Sequence, residues 1–355
     1  MNLDYLQFHH IDLSDPFFDS LKSDYAEFSD WFQRKANDWA YVFHNEQGRL
    51  DGFLYLKIEE GPLDDVTPHL PAALRLKIGT FKINPHGTRL GERFIKKAFD
   101  HALHSGVDEI YVTVFEHHQA LIQLFDKYGF SQCASKHTAN GTETVRIKSL
   151  FEPYTDTLLN YPSINNHSSQ PYLLALQPQW HTRLLPDSIL HNEDSDIIQD
   201  VSHTNSIHKV YLCSMPGVER VQRGDPIVIY RTSDNQGPAE YRSVATSICA
   251  IEEYRPLHSF SSKEEFMTYC RPYSVFSDSE LDEFWNKKTY RHVIRFTYNV
   301  ALNRRVIRKN LADDVGLDRS ARWGFMRLSP DQFEKIALMG GVNESLIVNQ
   351  AGIRG

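Results

Sequence analysis

From Phe17 to Phe32 the large apolar residues fall every three or four positions: Phe17, Phe18, Leu21, Tyr25, Phe28, Trp31 and Phe32, with polar residues between them. That spacing predicts helix, with Asp15 as its cap and Pro16 in its first turn. The pattern then changes to short apolar runs. Residues 39–44 and 52–58 read as strands across a Gln47-Gly48 turn. Gly61-Pro62 breaks the second of them, and an acidic, proline-containing loop reaches Pro71. A strand follows over 74–83, then a loop with two glycines, then a helix over 90–105. In that helix Phe94, Ile95, Ala98, Phe99, Ala102 and Leu103 form one stripe, and Gly106 ends it. Residues 107–115 are the next strand and 119–128 the next helix, stopped by Gly129. Residues 144–148 are the last strand of this half.

Periodicity fades over 151–170, where prolines, asparagines and serines predict a linker. Beyond it the runs are short and rich in β-branched and aromatic residues: 172–176, 210–213, 226–230, 244–251 and 293–300. Residues 187–207 read as an acidic, polar loop, and 262–286 as a helical insertion. The expected organisation is an α/β domain over 1–150, a linker over 151–170, a β-rich domain over 171–340 and a tail over 341–355.

Length and composition agree with two globular domains. The chain has 355 residues, 41% hydrophobic and 24% charged, enough to bury a sizeable core. No apolar run approaches the roughly 20 residues of a membrane span. The first residues show neither the basic nor the apolar part of a secretory signal. Four scattered cysteines without a CxxC pair argue against a thiolate metal site or a disulfide framework, and for a reducing cytoplasm. Charge adds one feature: from Lys287 to Lys309 there are eight basic residues and no acidic one.

The glycine loop carries the chemistry. A loop that opens a helix points several backbone N–H groups at one spot, which suits a phosphate. Gly87 is followed four residues later by Gly91-Glu92, so the Walker A pattern fails, and the Rossmann GxGxxG spacing is absent. The stretch His86-Gly87-Thr88-Arg89-Leu90-Gly91, the preceding Ile83-Asn84-Pro85, the pair Phe94-Ile95 and the later Lys127-Tyr128-Gly129-Phe130 together resemble the GCN5-related N-acetyltransferase (GNAT) superfamily. Arg89 replaces that family's middle glycine, and His86 its leading arginine or glutamine.

The resemblance implies a mixed sheet flanked by helices, with acetyl-CoA as cofactor. Phe81, Ile83, Gly87, Thr88, Arg89, Leu90, Gly91 and Glu92 would contact it. Pantetheine would lie where the strand 74–83 splays from the strand 107–115. The family's usual acid, a tyrosine, is replaced by Phe125. His118, His117 and Tyr128 are the candidate catalytic groups, with Glu116 and Glu92 as further candidate bases.

In the second half the GDxIxIY element at Gly224-Asp225-Pro226-Ile227-Val228-Ile229-Tyr230 and the strands around it resemble the PUA-like β-barrels of the ASCH and EVE branches. The GxKxxExR element normal in the ASCH branch is missing. Such domains commonly bind RNA or a modified base. Lys287, Lys288, Arg291, Arg295, Arg304, Arg305, Arg308 and Lys309, interleaved with Tyr290, Phe296 and Tyr298, fit phosphate contacts beside stacking rings. Phe296 and Tyr298 share one face of their strand, where core packing is the alternative.

Three functions stay open. The first is acetyl transfer to an amine presented by a tRNA-like RNA, as in GNAT toxins that act on aminoacyl-tRNA. The second is acetyl transfer to a protein or small-molecule amine. The third is a non-catalytic CoA-binding nucleic-acid reader or antitoxin-like partner, motivated by Phe125 and Arg89.

Overall fold

In the computed structural model, residues 3–45, 47–84, 89–152, 154–166, 169–185, 206–343 and 346–348 are described. The chain divides into two compact units, Met1–Leu150 and Phe151–Gly355. Among the described residues no helix is long and apolar enough to cross a membrane.

The first unit runs β1 (Leu3–Gln7), α1 (Asp19–Asp24), α2 (Phe28–Arg34), β2 (Trp39–His44), β3 (Leu50–Leu63), β4 (Leu70–Ile83), α3 (Leu90–Ser105), β5 (Glu109–Phe115), α4 (Gln119–Lys127), β6 (Ser131–Thr138) and β7 (Gly141–Ser149). Its seven strands form one mixed α/β sheet in the order β1-β2-β3-β4-β5-β7-β6. On one face lie Phe17, Phe18, Phe28 and Phe32 of the α1–α2 region, packed on Val42, Phe53 and Tyr55. On the other, Phe81 packs edge-on against Phe94 of α3 and Phe125 of α4, both at 5.5 Å.

Among the described residues of this unit only β4 and β5 pair in parallel, and their ladder is short, from Arg75↔Glu109 to Ile78↔Val112. Beyond it β4 continues with β3 as far as Ile83, and β5 continues with β7 as far as Phe115. The two strands therefore part, leaving a slot between 79–83 and 113–115. The sequence explains where this happens. Tyr55 faces Thr80 and Leu56 faces Ile78, so Gly79 is an extra residue in β4, a bulge. A Cβ on Gly79 would lie 2.7 Å from the Tyr55 ring, so only glycine fits there.

Several expectations need correcting. The first helix is broken: a 3-10 turn over Pro16–Phe18, capped by Asp15, precedes α1, and α2 starts anew at Phe28. The loop expected to begin at Gly61-Pro62 is shorter, because Gly61 takes a positive φ of 119° at a register shift and lets β3 pair on to Leu63, and β4 starts at Leu70. β6 escaped the periodicity altogether, since its sequence SQCASKHT has no apolar alternation. Residues 151–170 do not form an open linker. Within them are α5 (Thr157–Asn160) and β8 (Ile164–Asn165), and Tyr161 and Ile164 are buried.

The second unit continues with β9 (Tyr172–Leu176), α6 (Pro178–Leu184), β10 (His208–Cys213), β11 (Pro226–Arg231), α7 (Ala239–Arg242), β12 (Val244–Pro256), α8 (Lys263–Cys270) and α9 (Asp278–Lys287). It closes with β13 (His292–Ile307), α10 (Arg308–Asp313), β14 (Phe325–Arg327), α11 (Pro330–Met339) and β15 (Ile347–Val348). Six strands form the sheet β10-β13-β12-β11-β9-β14. Three register shifts between β12 and β13 bend that pair, giving the barrel-like half expected from the sequence. Val244–Glu252 is buried without alternation, so both faces of β12 are covered. The helical insertion is α8 and α9, the latter started by a Ser277–Glu280 capping box. The acidic loop expected over 187–207 falls mostly outside the described residues. Within the expected tail, β15 pairs in parallel with β8.

Candidate functional site

Each wall of the slot runs on into a helix: α3 follows β4 and α4 follows β5. The first turn of a helix presents N–H groups without intrahelical partners, together with the positive end of its dipole. At α3 the N-cap is Arg89, in the left-handed region with φ 54°. This is the position where the resembled family has glycine, and the positive φ is a physical reason for that preference. Pro85, His86, Gly87 and Thr88 lie outside the described residues, so the expected contacts of Gly87 and Thr88 do too.

The described part of the anion site is compact. Gly91 is buried, and a Cβ there would lie 2.8 Å from Leu124 Cδ2 and 3.4 Å from Ile83 Cδ1. Its smallness lets α3 approach α4 and β4, which packing alone explains. Leu90 is buried beside it. The Glu92 carboxylate accepts from Lys127 Nζ at 2.7 Å and lies 3.7 Å from the Arg89 guanidinium. Two cations thus flank the one acid at this helix end.

Structure separates the three candidate catalytic groups. Tyr128 is fully buried at the C-terminal end of α4, with Lys127 Nζ 5.2 Å from its ring centre. His117 and His118 stand at the opposite end, about 13 Å away along nine residues of helix. Phe125 is fully buried between Phe81 and Phe130.

Around the histidines is a set of polar groups that local spacing could not reveal. His118 Nε2 is 3.2 Å from Asp24 Oδ2, at the end of α1, and His117 Nε2 is 4.0 Å from the same oxygen. His117 also stacks on Phe115, with centroids 5.5 Å apart. The neighbouring Tyr25 hydroxyl donates to Glu143 Oε1 at 2.7 Å, and Thr113 Oγ1 donates to the same oxygen at 3.3 Å. Burial and the adjacent Glu143 carboxylate push the Tyr25 phenol far above its ordinary value, so it keeps its proton. On the same side Lys82 donates to Ser20 Oγ at 2.5 Å, and burial lowers its pKa. Asp24, His117 and His118 each offer one ligand atom, all within 4.8 Å of one another.

The basic run of the second unit does not make one patch. β13 occupies its middle and separates Arg291 from Arg308 by on the order of 50 Å of strand. Lys287 pairs with Glu283 at 2.7 Å, and Lys288 lies 3.4 Å over the Trp285 ring. Arg291 lies in the turn before β13. Arg295 pairs with Glu252 at 3.1 Å and Glu253 at 3.7 Å. At the far end Arg304 is exposed, and Arg305 donates to the Thr246 carbonyl at 3.0 Å. Arg308 lies 4.4 Å over Trp323, and Lys309 lies 6.0 Å from the exposed Tyr241 ring. Phe296 and Tyr298 are buried core residues, not a stacking platform.

One buried polar group of this unit has a pH consequence. His181 is fully buried; its Nε2 is 2.7 Å from Thr246 Oγ1, and among the described residues its Nδ1 has no hydrogen-bond partner. Burial, with Arg231 and Arg305 adding to it, pushes the imidazole down to about 3. The unfolded chain takes up this proton below about pH 6.5, whereas the folded chain does not until far lower. Stability therefore falls as pH drops through that window, by up to about 1.4 kcal/mol per pH unit from this group. Urea unfolding between about pH 7 and about pH 4 should give a shallower loss for His181→Gln than for the parent. Parallel losses would refute the assignment.

No protein-family model matches the chain, and no curated protein matches it. Solved structures similar to it include two kinds. An IAA acetyltransferase from Bacillus cereus is 14% identical, covering 42% of this chain and 99% of its own, with a TM-score of 0.33. The NatC complex bound to Gag peptide and CoA gives 18% identity over 42% of this chain and 99% of that one, with a TM-score of 0.29. An ASCH protein from Zymomonas mobilis is 8% identical over 48% of this chain and 94% of its own, with a TM-score of 0.32.

Proposed function

We propose that the first unit transfers an acyl group, acetyl in the simplest case, from acyl-CoA to an amine. The observation that carries this reading is the parting of β4 and β5 after Ile78 and Val112, with a helix N-terminus following each strand. The phosphates belong at the start of α3, on the N–H groups of residues 87–92, and the pantetheine arm in the slot. The amine arrives from the side of α1. There it meets His118, whose Nε2 is held by Asp24, leaving Nδ1 as the ring's acceptor. His118 takes the proton the amine sheds on attacking the thioester carbonyl. CoA leaves as its thiolate, and the Tyr25 phenol, whose one proton goes to Glu143, holds that carboxylate on the acceptor side.

Asp24 and Glu143 on the acceptor side favour a cationic amine, a polyamine or a lysine side chain, over a polyanion. A second reading, an amine carried on RNA, is favoured by Arg308 and Lys309, which lie beside Trp323 and the exposed Tyr241. The deciding experiment is transfer of radiolabel from acetyl-CoA, offered in parallel to polyamines, lysine peptides and total tRNA. Label on the first two supports the primary reading, and label on tRNA the second. CoA binding with no transfer to any acceptor would leave only a non-catalytic reader.

A further inference from the structure

We propose that Asp24, His117 and His118 hold a divalent transition-metal cation of the zinc class, and that filling this site switches off the acyl transfer. The ligand set is a carboxylate oxygen and two imidazole nitrogens. It is the one group of three such side chains among the described residues whose ligand atoms lie within 4.8 Å of one another. A tetrahedral cation about 2.0–2.2 Å from each ligand needs ligand atoms roughly 3.4 Å apart. Asp24 Oδ2 and His118 Nε2 are already at 3.2 Å. The His117 Nε2 distance of 4.0 Å closes with a small rotation of a side chain that is 62% exposed.

Ion pairing alone explains one histidine at this carboxylate, not two. His117 and His118 are consecutive, yet both turn their Nε2 toward the same oxygen, with ring centroids 4.1 Å apart. Asp24, Glu27 and Glu143 act electrostatically on the adjacent Tyr25, and Lys82 is the cation that faces Asp24. Imidazole with carboxylate selects zinc, cobalt, nickel or copper over calcium or magnesium. Three protein ligands leave a fourth position for water.

Filling the site has a direct effect on proton transfer. A metal on Nε2 of His118 places the ring proton on Nδ1, and the ring then has no acceptor nitrogen. It also removes Asp24 from its orienting role. The switching half of the proposal rests on the transferase reading; the binding half does not.

The test is calorimetric titration of the full chain with zinc chloride in the absence of acyl-CoA, with cobalt chloride as a visible-absorption probe of the ligand field. One equivalent of zinc is expected. A His117→Ala/His118→Ala variant, shown to be folded by its thermal melt, should bind at least ~30-fold more weakly. Asp24→Asn should lose at least ~10-fold. No heat up to about 1 mM zinc, or unchanged affinity in the double variant, overturns the site. In the transfer assay, zinc should inhibit and a chelator should restore the rate. Zinc bound in one equivalent without inhibition overturns the switch. Absence of any transfer fails the transferase reading while the isotherm still decides the site.

Discussion

Replacing His118 by alanine is expected to lower kcat for acyl transfer by about 10²–10⁴, the usual contribution of one general base. KM for acetyl-CoA should change little, because the phosphate site proposed at the start of α3 lies beside Lys127, at the other end of α4 from His118. Asp24→Asn should reproduce part of this loss. It keeps the shape of the His118 contact but offers an amide where the carboxylate stood. The two effects should not add, since Asp24 acts through His118. Stopped-time radiolabel assays over a range of acetyl-CoA concentrations separate kcat from KM. A full-rate His118→Ala enzyme would move the base elsewhere, with Glu143 next in line.

The second large effect is on stability. Glu252 is almost completely buried in β12. Its carboxylate accepts from Arg295 at 3.1 Å and is hydrogen-bonded to His208 Nδ1, itself buried on β10. Glu252→Ala leaves the Arg295 guanidinium and the buried imidazole without that acceptor. Breaking one side of a buried pair typically costs about 3–5 kcal/mol. That is a large share of the roughly 5–15 kcal/mol holding a typical domain folded. Glu252→Gln, which keeps an acceptor oxygen, should cost less. Urea unfolding of the full chain measures both. A loss under about 1 kcal/mol in the alanine variant would mean the network contributes little.

Much of the first unit is legible in its sequence because its signals are local. The stripe from Phe94 to Leu103 and the stop at Gly106 mark α3, which runs Leu90–Ser105 as expected. Trp39–His44 is bounded as its pattern says. The hairpin of β6 and β7 was missed, although Asn140-Gly141 is a turn signal, because β6 lacks alternation. Local spacing marks the glycines before α3, but it cannot reveal the groups gathered around His118. Asp24 meets His118 across 94 positions, and Tyr25 meets Glu143 across 118. No periodicity encodes contacts that the sheet alone creates. The basic run fails for the opposite reason. Eight neighbours in sequence suggest one compact surface, and β13 spreads them along sixteen residues of strand.

The bulge at Gly79 has a consequence for solvent exchange. Past it, the backbone groups of 79–83 that would have faced β5 have no ladder, nor do those of 113–115 that would have faced β4. Unligated, these groups hydrogen-bond to water, so a sheet interior carries a line of fast-exchanging amides. On the acyl-CoA reading, the pantetheine arm lying in the slot would replace that water as a guest strand would. Protection against deuterium should then rise along both slot walls at once. On that reading the sheet is an unfinished one, which a molecule carrying its own amides would complete.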